Sequence, residues 1–209
     1  MQNGFPYLDI LIFGVIAIFL IFRLKNILGT KTGFEDNNLN KSNQTKQYAN
    51  VVSLKSKNKN TINSEINKII EVDPNFNEVD FLEGSKTFFE MVLTSFVSGN
   101  LENVKSFIKP TVFKSFKNAI DDRLKENETL VIDLKSFKRQ EISRSEINKS
   151  AIKINVIFET LQVKALIDQN EKIIDGDMNK EILVKDEWIF ERKIKQENPN
   201  WTLIETISI

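Results

Sequence analysis

From Ile10 to Phe22 the chain reads ILIFGVIAIFLIF, thirteen residues without a charge, and the apolar stretch reaches back to Phe5 across Pro6 and Asp9. Eighteen such residues make a helix about 27 Å long, just short of the roughly 30 Å hydrocarbon core of a bilayer. The pattern predicts a transmembrane anchor over residues 5–23, with a short extracytoplasmic N-terminus at 1–4. Ile10, Leu11, Ile12, Phe13, Ile16, Phe19, Leu20 and Phe22 would face lipid, and Arg23 and Lys25 would snorkel to the headgroups. A cleaved signal peptide has an apolar region of similar length. It also needs a basic start and a small-x-small cleavage site, and neither the residues before the run nor the RLKNILGTKTG after it supply them.

Arg23, Lys25 and Lys31 all follow the apolar run and no basic residue precedes it. The positive-inside rule therefore places everything after the anchor in the cytoplasm, with these three cations at the lipid headgroups. A juxtamembrane segment, 24–35, leads into 36–75, which is dense in Asn, Lys and Ser and poor in aromatics. Such a composition predicts a disordered linker. Between Asn37 and Ser64 it carries Lys41, Lys46, Lys55, Lys57 and Lys59 and no acidic residue. Two readings fit: a polybasic strip that lies on an anionic leaflet, or a linker that simply stays solvated. Ile62, Ile66, Ile69 and Ile70 have helical spacing, for a helix that either leads into the following domain or docks on it or on a partner. The sequons at Asn43, Asn127 and Asn148 are expected by chance in an Asn-rich chain.

Residue usage narrows the chemistry. The chain has no Cys and no His, so thiol nucleophiles, thiolate or imidazole metal sites and Ser-His-Asp catalysis are excluded. Residues 1–75 hold nine Lys/Arg against six Asp/Glu, leaving twenty against twenty-three for 76–209. A globular part near −3 argues against a broad basic face for duplex DNA.

The remaining 134 residues, 76–209, are of ordinary size for one domain. Helical spacing over 78–97 gathers Phe81, Phe88, Phe89, Val92, Phe96 and Val97 on one side, and Gly99 closes the helix. A second short helix is expected over Leu101–Ile108, before Pro110. A third is expected from Pro110 through Phe113, Phe116, Ile120 and Leu124. The period then becomes two: Leu130, Ile132, Leu134; Ile152 to Phe158, with a change of face before Leu161; Ile182 to Ile194; and Trp201, Leu203, Ile207. Connections fall at 168–180, which includes Asp175-Gly176, and at 196–200. The expectation is an α+β domain, three helices packed on one face of a four-stranded bent antiparallel sheet.

The run Leu28, Gly29, Thr30, Lys31, Thr32, Gly33, Phe34, Glu35, directly after an anchor, resembles the LGxRTGxE segment that opens bacterial relatives of the mitochondrial inner-membrane translocase subunit Tim of forty-four kilodaltons. Lys31 stands where that pattern usually has Arg. Trp188, Phe190 and Arg192, then Asn198, Pro199, Asn200 and Trp201, resemble the same family's W-x-F-x-R and N-P-x-W pattern. The resemblance implies a cystatin-like cone fold with a hydrophobic pocket under its helices, and attachment to anionic phospholipid through amphipathic helices at the domain's start. In mitochondria such a protein recruits the import-motor chaperone to the translocation channel, and the mitoribosomal relative sits near the tunnel exit. A bacterium lacks that import channel, so the partner implied is a chaperone, translocon or ribosome component without a choice among them.

Candidate binding residues are Phe81, Phe88, Phe89, Val92, Phe96, Trp188, Phe190, Arg192 and Trp201, for which a pocket wall and a plain packed core are both open readings. Asp186 and Arg192 flank the Trp-Phe pair and either ring a pocket mouth or mark where the strand leaves the core. An enzyme on a cone fold would need a shifted carboxyl such as Asp186 or Glu159 opposite a tyrosine, and Tyr7 and Tyr48 both lie outside the domain. The expectation is therefore a non-enzymatic, membrane-anchored adaptor of a bacterial inner membrane, without cofactor, metal or direct nucleic-acid contact. The alternative is a periplasmic cone-fold assembly scaffold of opposite topology.

Overall fold

The structure, a computed structural model, describes residues 64–194 and 200–209. The anchor, the juxtamembrane segment with Leu28 to Glu35, and the linker as far as residue 63 lie outside the described residues. Among the described residues no helix is long and apolar enough to cross a membrane.

A helix, α1, occupies residues 64–72, inside the stretch expected to be linker. Ile66 and Ile69 are buried in the core and Ile70 is exposed, so one stripe of the helix docks on the domain. The Glu65 carboxylate accepts the Ser145 N–H at 3.0 Å and the Ser145 hydroxyl at 3.3 Å. Pro74 disfavours helix at Asp73, the chain turns (Phe76 N–H to Asp73 C=O, 3.0 Å), and Phe76 is buried behind it. Residues 64–72 thus pack with the domain although the linker was expected to run to 75: two buried isoleucines outweigh the polar composition around them.

Helix α2, Glu78–Ser98, starts where Asn77 accepts the N–H groups of Val79 and Asp80, and ends at Gly99 with φ +79°. Phe81, Ser85, Phe89, Val92 and Ser95 form its buried stripe. The helix expected over Leu101–Ile108 is replaced by a single 3-10 turn, Lys105–Phe107. Leu101, Val104 and Ile108 are buried. The segment instead becomes extended at its end, where Ile108 bridges Leu203 and the Lys109 N–H donates to the Leu203 carbonyl at 2.8 Å. Helix α3, Pro110–Lys125, has Pro at its first turn and buries Phe116, Ile120 and Arg123. Leu124, expected on that stripe, is exposed, and Arg123 takes the inward place.

Four strands, β1 (Thr129–Ile147), β2 (Ala151–Ile167), β3 (Ile173–Lys193) and β4 (Thr202–Ser208), form an antiparallel sheet in sequence order. The described domain is thus α+β, with three helices on a four-stranded sheet. β1 is far longer than the expected Leu130–Leu134, and register shifts after Leu134, Phe137 and Ile142 explain why its alternation is hard to read. β3 begins at Ile173, so Asp175-Gly176 lies within the strand. The reversal comes at Asp168, whose carboxylate accepts the Asn170 and Lys172 N–H groups. Gly176, at φ +78°, sits so close to β2 that a Cβ would fall 2.2 Å from the Lys164 carbonyl oxygen. The change of face expected before Leu161 is not found in β2: Gln162, Lys164 and Leu166 stay on one side, Val163 and Ala165 are buried on the other, and the extra residues at the register shifts fall in β1 and β3. These irregularities bend the sheet around the helices, and the core lies in the concavity.

Candidate functional site

On α2, Phe88 and Phe89 are adjacent and so point about 100° apart; on β3, Trp188 and Phe190 share the concave face. Phe89 packs on Trp188 with ring centroids 4.7 Å apart, and Phe88 meets Phe190 at 6.2 Å. This aromatic wall separates two hollows: Phe88 and Phe190 line an outer groove of about 510 Å³, and Phe89 and Trp188 line an inner cavity of about 130 Å³.

The groove has an aromatic floor of Phe76, Phe81, Phe88, Phe107, Phe190 and Trp201. Phe81 is the centre of it, meeting Trp201 at 4.8 Å and both Phe76 and Phe190 at 5.8 Å. Asp80, Gly84, Thr87 and Met91 present one side of α2 to the opening, and Asn75, Asn77, Asn200 and Arg192 give it a polar rim. A Cβ on Gly84 would meet nothing within 4 Å. Arg192 stacks on Trp201 at 4.8 Å and forms an ion pair with Asp73, and burial lowers its pKa. The rim is thereby fastened to the turn through which the chain enters from α1.

The inner cavity has apolar walls that include Val92, Phe96 and Phe116, and a polar end made by Gln162, Lys164, Asp186 and Ser208. The Ser208 hydroxyl donates to Asp186 Oδ1 at 2.9 Å. Burial pushes the Asp186 carboxyl up, against the Ser208 hydrogen bond and the Lys164 charge, and burial pushes Lys164 down. Gln162 Nε2 donates to Thr160 Oγ1 at 2.6 Å, and its buried Oε1 has no partner. Arg123 also lines the cavity; its Nη2 donates to the Phe96 and Val97 carbonyls at 3.0 and 3.1 Å, closing the C-terminal end of α2.

The nine candidate binding residues are therefore divided: Phe89, Val92, Phe96 and Trp188 line the cavity, and Phe81, Phe88, Phe190, Arg192 and Trp201 line the groove. Most are also core residues, so packing and lining coincide. Asp186 and Glu159 do not meet. Glu159 lies on the opposite sheet face, where hydrogen bonds from Lys185 and Arg139 hold its pKa down. Among the described residues no acidic cluster suited to a metal ion is present. Gln162 and Lys164 were not among the candidates, although Phe158, Thr160 and Gln162 continue one alternation that would have pointed to Gln162. Asp73 was hidden by the linker reading, and Phe76, the first residue of the expected domain, was not singled out.

The family model of the Tim44-like domain matches residues 62–208. Among solved structures, the intermembrane space region of the chloroplast protein ARC6 is similar at a TM-score of 0.47 and 8% identity, over 65% of this chain and 98% of that one. No curated protein matches the chain.

Proposed function

The chain belongs to the Tim44-like domain family, and from that membership we propose that it is a membrane-anchored adaptor without catalytic activity, holding a protein partner beside an anionic bilayer. The observation that carries the reading is the groove of about 510 Å³, whose aromatic floor opens next to Asn75 and Asn77, just after the chain enters the domain. An apolar floor with a polar rim suits an apolar face of a partner polypeptide. Gly84 lets a partner's backbone approach α2 closely, at a cost of about 1 kcal/mol to the helix itself.

The anchor at 5–23 would raise the domain's concentration near the membrane, and Arg23, Lys25, Lys31 and the linker lysines would meet anionic phospholipid. In this reading the domain is cytoplasmic, at the inner membrane of a bacterium, and serves protein translocation or membrane-protein biogenesis through a chaperone, translocon or ribosome component.

The test is photo-crosslinking in intact cells from a probe at Met91, exposed on the groove, in the full chain. Discrete adducts with a translocation or ribosomal component, lost when Gly84 is replaced by Leu, are expected. Adducts that persist in Gly84→Leu mean that the groove is not the contact. An active alkaline phosphatase fused after Asn37 would put the domain on the periplasmic side and replace the adaptor with the assembly scaffold.

A further inference from the structure

The inner cavity has a composition that core packing does not call for. At its polar end Gln162 is 1% exposed and its Oε1 lacks a hydrogen-bond partner. Asp186 accepts the Ser208 hydroxyl at Oδ1, and Lys164 forms no ion pair within 4 Å among the described residues. A buried acceptor left unpaired has given up its water without replacement, so a donor that fills this end recovers that loss. The other walls are apolar, aliphatic at Val92, Leu93, Leu130 and Ile132 and aromatic at Phe89, Phe96 and Trp188.

Size and charge define what fits. A cavity of about 130 Å³ is close to the engineered apolar cavities of about 150 Å³ that admit a benzene ring. An anionic head would face the Asp186 carboxyl, and a cationic head would face Lys164 and Arg123. A neutral hydroxyl avoids both conflicts: it donates to Gln162 Oε1 or to Asp186 and accepts from Lys164 Nζ. We propose that the inner cavity is a binding site for an uncharged, single-ring aromatic alcohol, a ligand of phenol chemistry stacked among Phe89, Phe96 and Trp188 with its hydroxyl at Gln162. The site is separate from the groove and does not depend on the groove's having a partner.

The test uses the full chain in a non-ionic detergent and fluorine NMR of three ring probes: 4-fluorophenol, fluorobenzene and 4-fluorobenzoate. Binding to the site is read as the part abolished by Ala119→Leu, which fills the cavity from α3 and leaves the polar end unchanged. The expected result is 4-fluorophenol binding about tenfold tighter than fluorobenzene, the difference one hydrogen bond to a buried unpaired group makes, with 4-fluorobenzoate weakest. In Gln162→Leu the preference for the phenol over fluorobenzene falls to about twofold or less. Equal binding of the phenol and fluorobenzene by the unmodified chain, no displaceable binding of the phenol at all, or undiminished binding in Ala119→Leu overturns the proposal. If Gln162→Leu does not fold, the probe comparison on the unmodified chain and Ala119→Leu decides it alone.

Discussion

Arg192, at the end of β3, forms an ion pair with Asp73, the residue that ends α1, and lays its guanidinium over Trp201 at 4.8 Å. One side chain thus ties the sheet to the turn between α1 and α2. Both side chains are more than four-fifths buried, at 15% and 18% exposure, so removing one leaves the other poorly hydrated. Arg192→Ala is expected to cost about 1–3 kcal/mol, and to speed amide exchange in 64–72 well beyond that in the middle of α2. Because the guanidinium also covers Trp201, Asp73→Asn should cost less than Arg192→Ala. Unchanged protection of 64–72 in both variants would mean that α1 is held by Ile66 and Ile69 alone.

Gly84 separates stability from binding. The open space around it means that Gly84→Ala strains nothing, and the gain in helix propensity should stabilise the domain by about 0.5–1 kcal/mol. For a chain of this size that is a rise of roughly 1–4 °C in Tm. Gly84→Leu should be as stable as Gly84→Ala by the same measurement and yet narrow the groove. A fall in Tm for Gly84→Ala would show that α2 needs the glycine for a reason internal to the fold.

Asp186 sets an acid-side dependence. Burial raises its pKa above the ordinary 3.8, so the folded state binds this proton more tightly than the unfolded chain does. The carboxyl therefore favours folding most fully below 3.8, and that contribution is lost as the pH rises through the folded-state value. At neutral pH the buried carboxylate is a net burden, offset in part by the Ser208 hydrogen bond and the Lys164 charge. Asp186→Asn should keep the Ser208 contact, match or exceed the parent in urea melts at pH 7, and show a flatter decline between pH 4 and 7. A variant that is clearly less stable at pH 7 would show that Lys164 and Ser208 more than compensate for burial.

The sequence showed helix and strand wherever one period persisted. Asn77 and Gly99 bracket α2 within a residue of the expectation, and Ile152 to Phe158 alternate as β2 does. It misled where a period was imitated or broken. Leu101, Val104 and Ile108 have helical spacing, yet pairing of Ile108 with Leu203 takes that stretch out of the helix. β1 slips register three times and β3 slips on either side of Gly176, between Asp177 and Glu181 and between Ile173 and Asp175, so turn-like residues sit in the middle of strands. At the site, the aromatic residues were legible because large apolar side chains mark the concave face. Lys164 and the Asp73–Arg192 pair were not, since a polar residue's burial depends on contacts between elements far apart in the chain.

The clearest such case is α1, and it bears on any attempt to isolate the domain. A fragment starting at residue 76 looks complete from composition, but it discards Ile66 and Ile69, the Glu65 carboxylate that holds Ser145, and the partner of Arg192. Burying the two isoleucines contributes about 1.5–3 kcal/mol each, a sum comparable with the 5–15 kcal/mol by which whole domains are stable. Residues 62–209 should therefore unfold in one cooperative urea transition. Residues 76–209 should unfold at a markedly lower midpoint or bind a hydrophobic dye without denaturant, because the apolar surface that α1 covers is bare. Matching midpoints for the two fragments would return 64–75 to the tether and leave the α1 contacts without energetic weight.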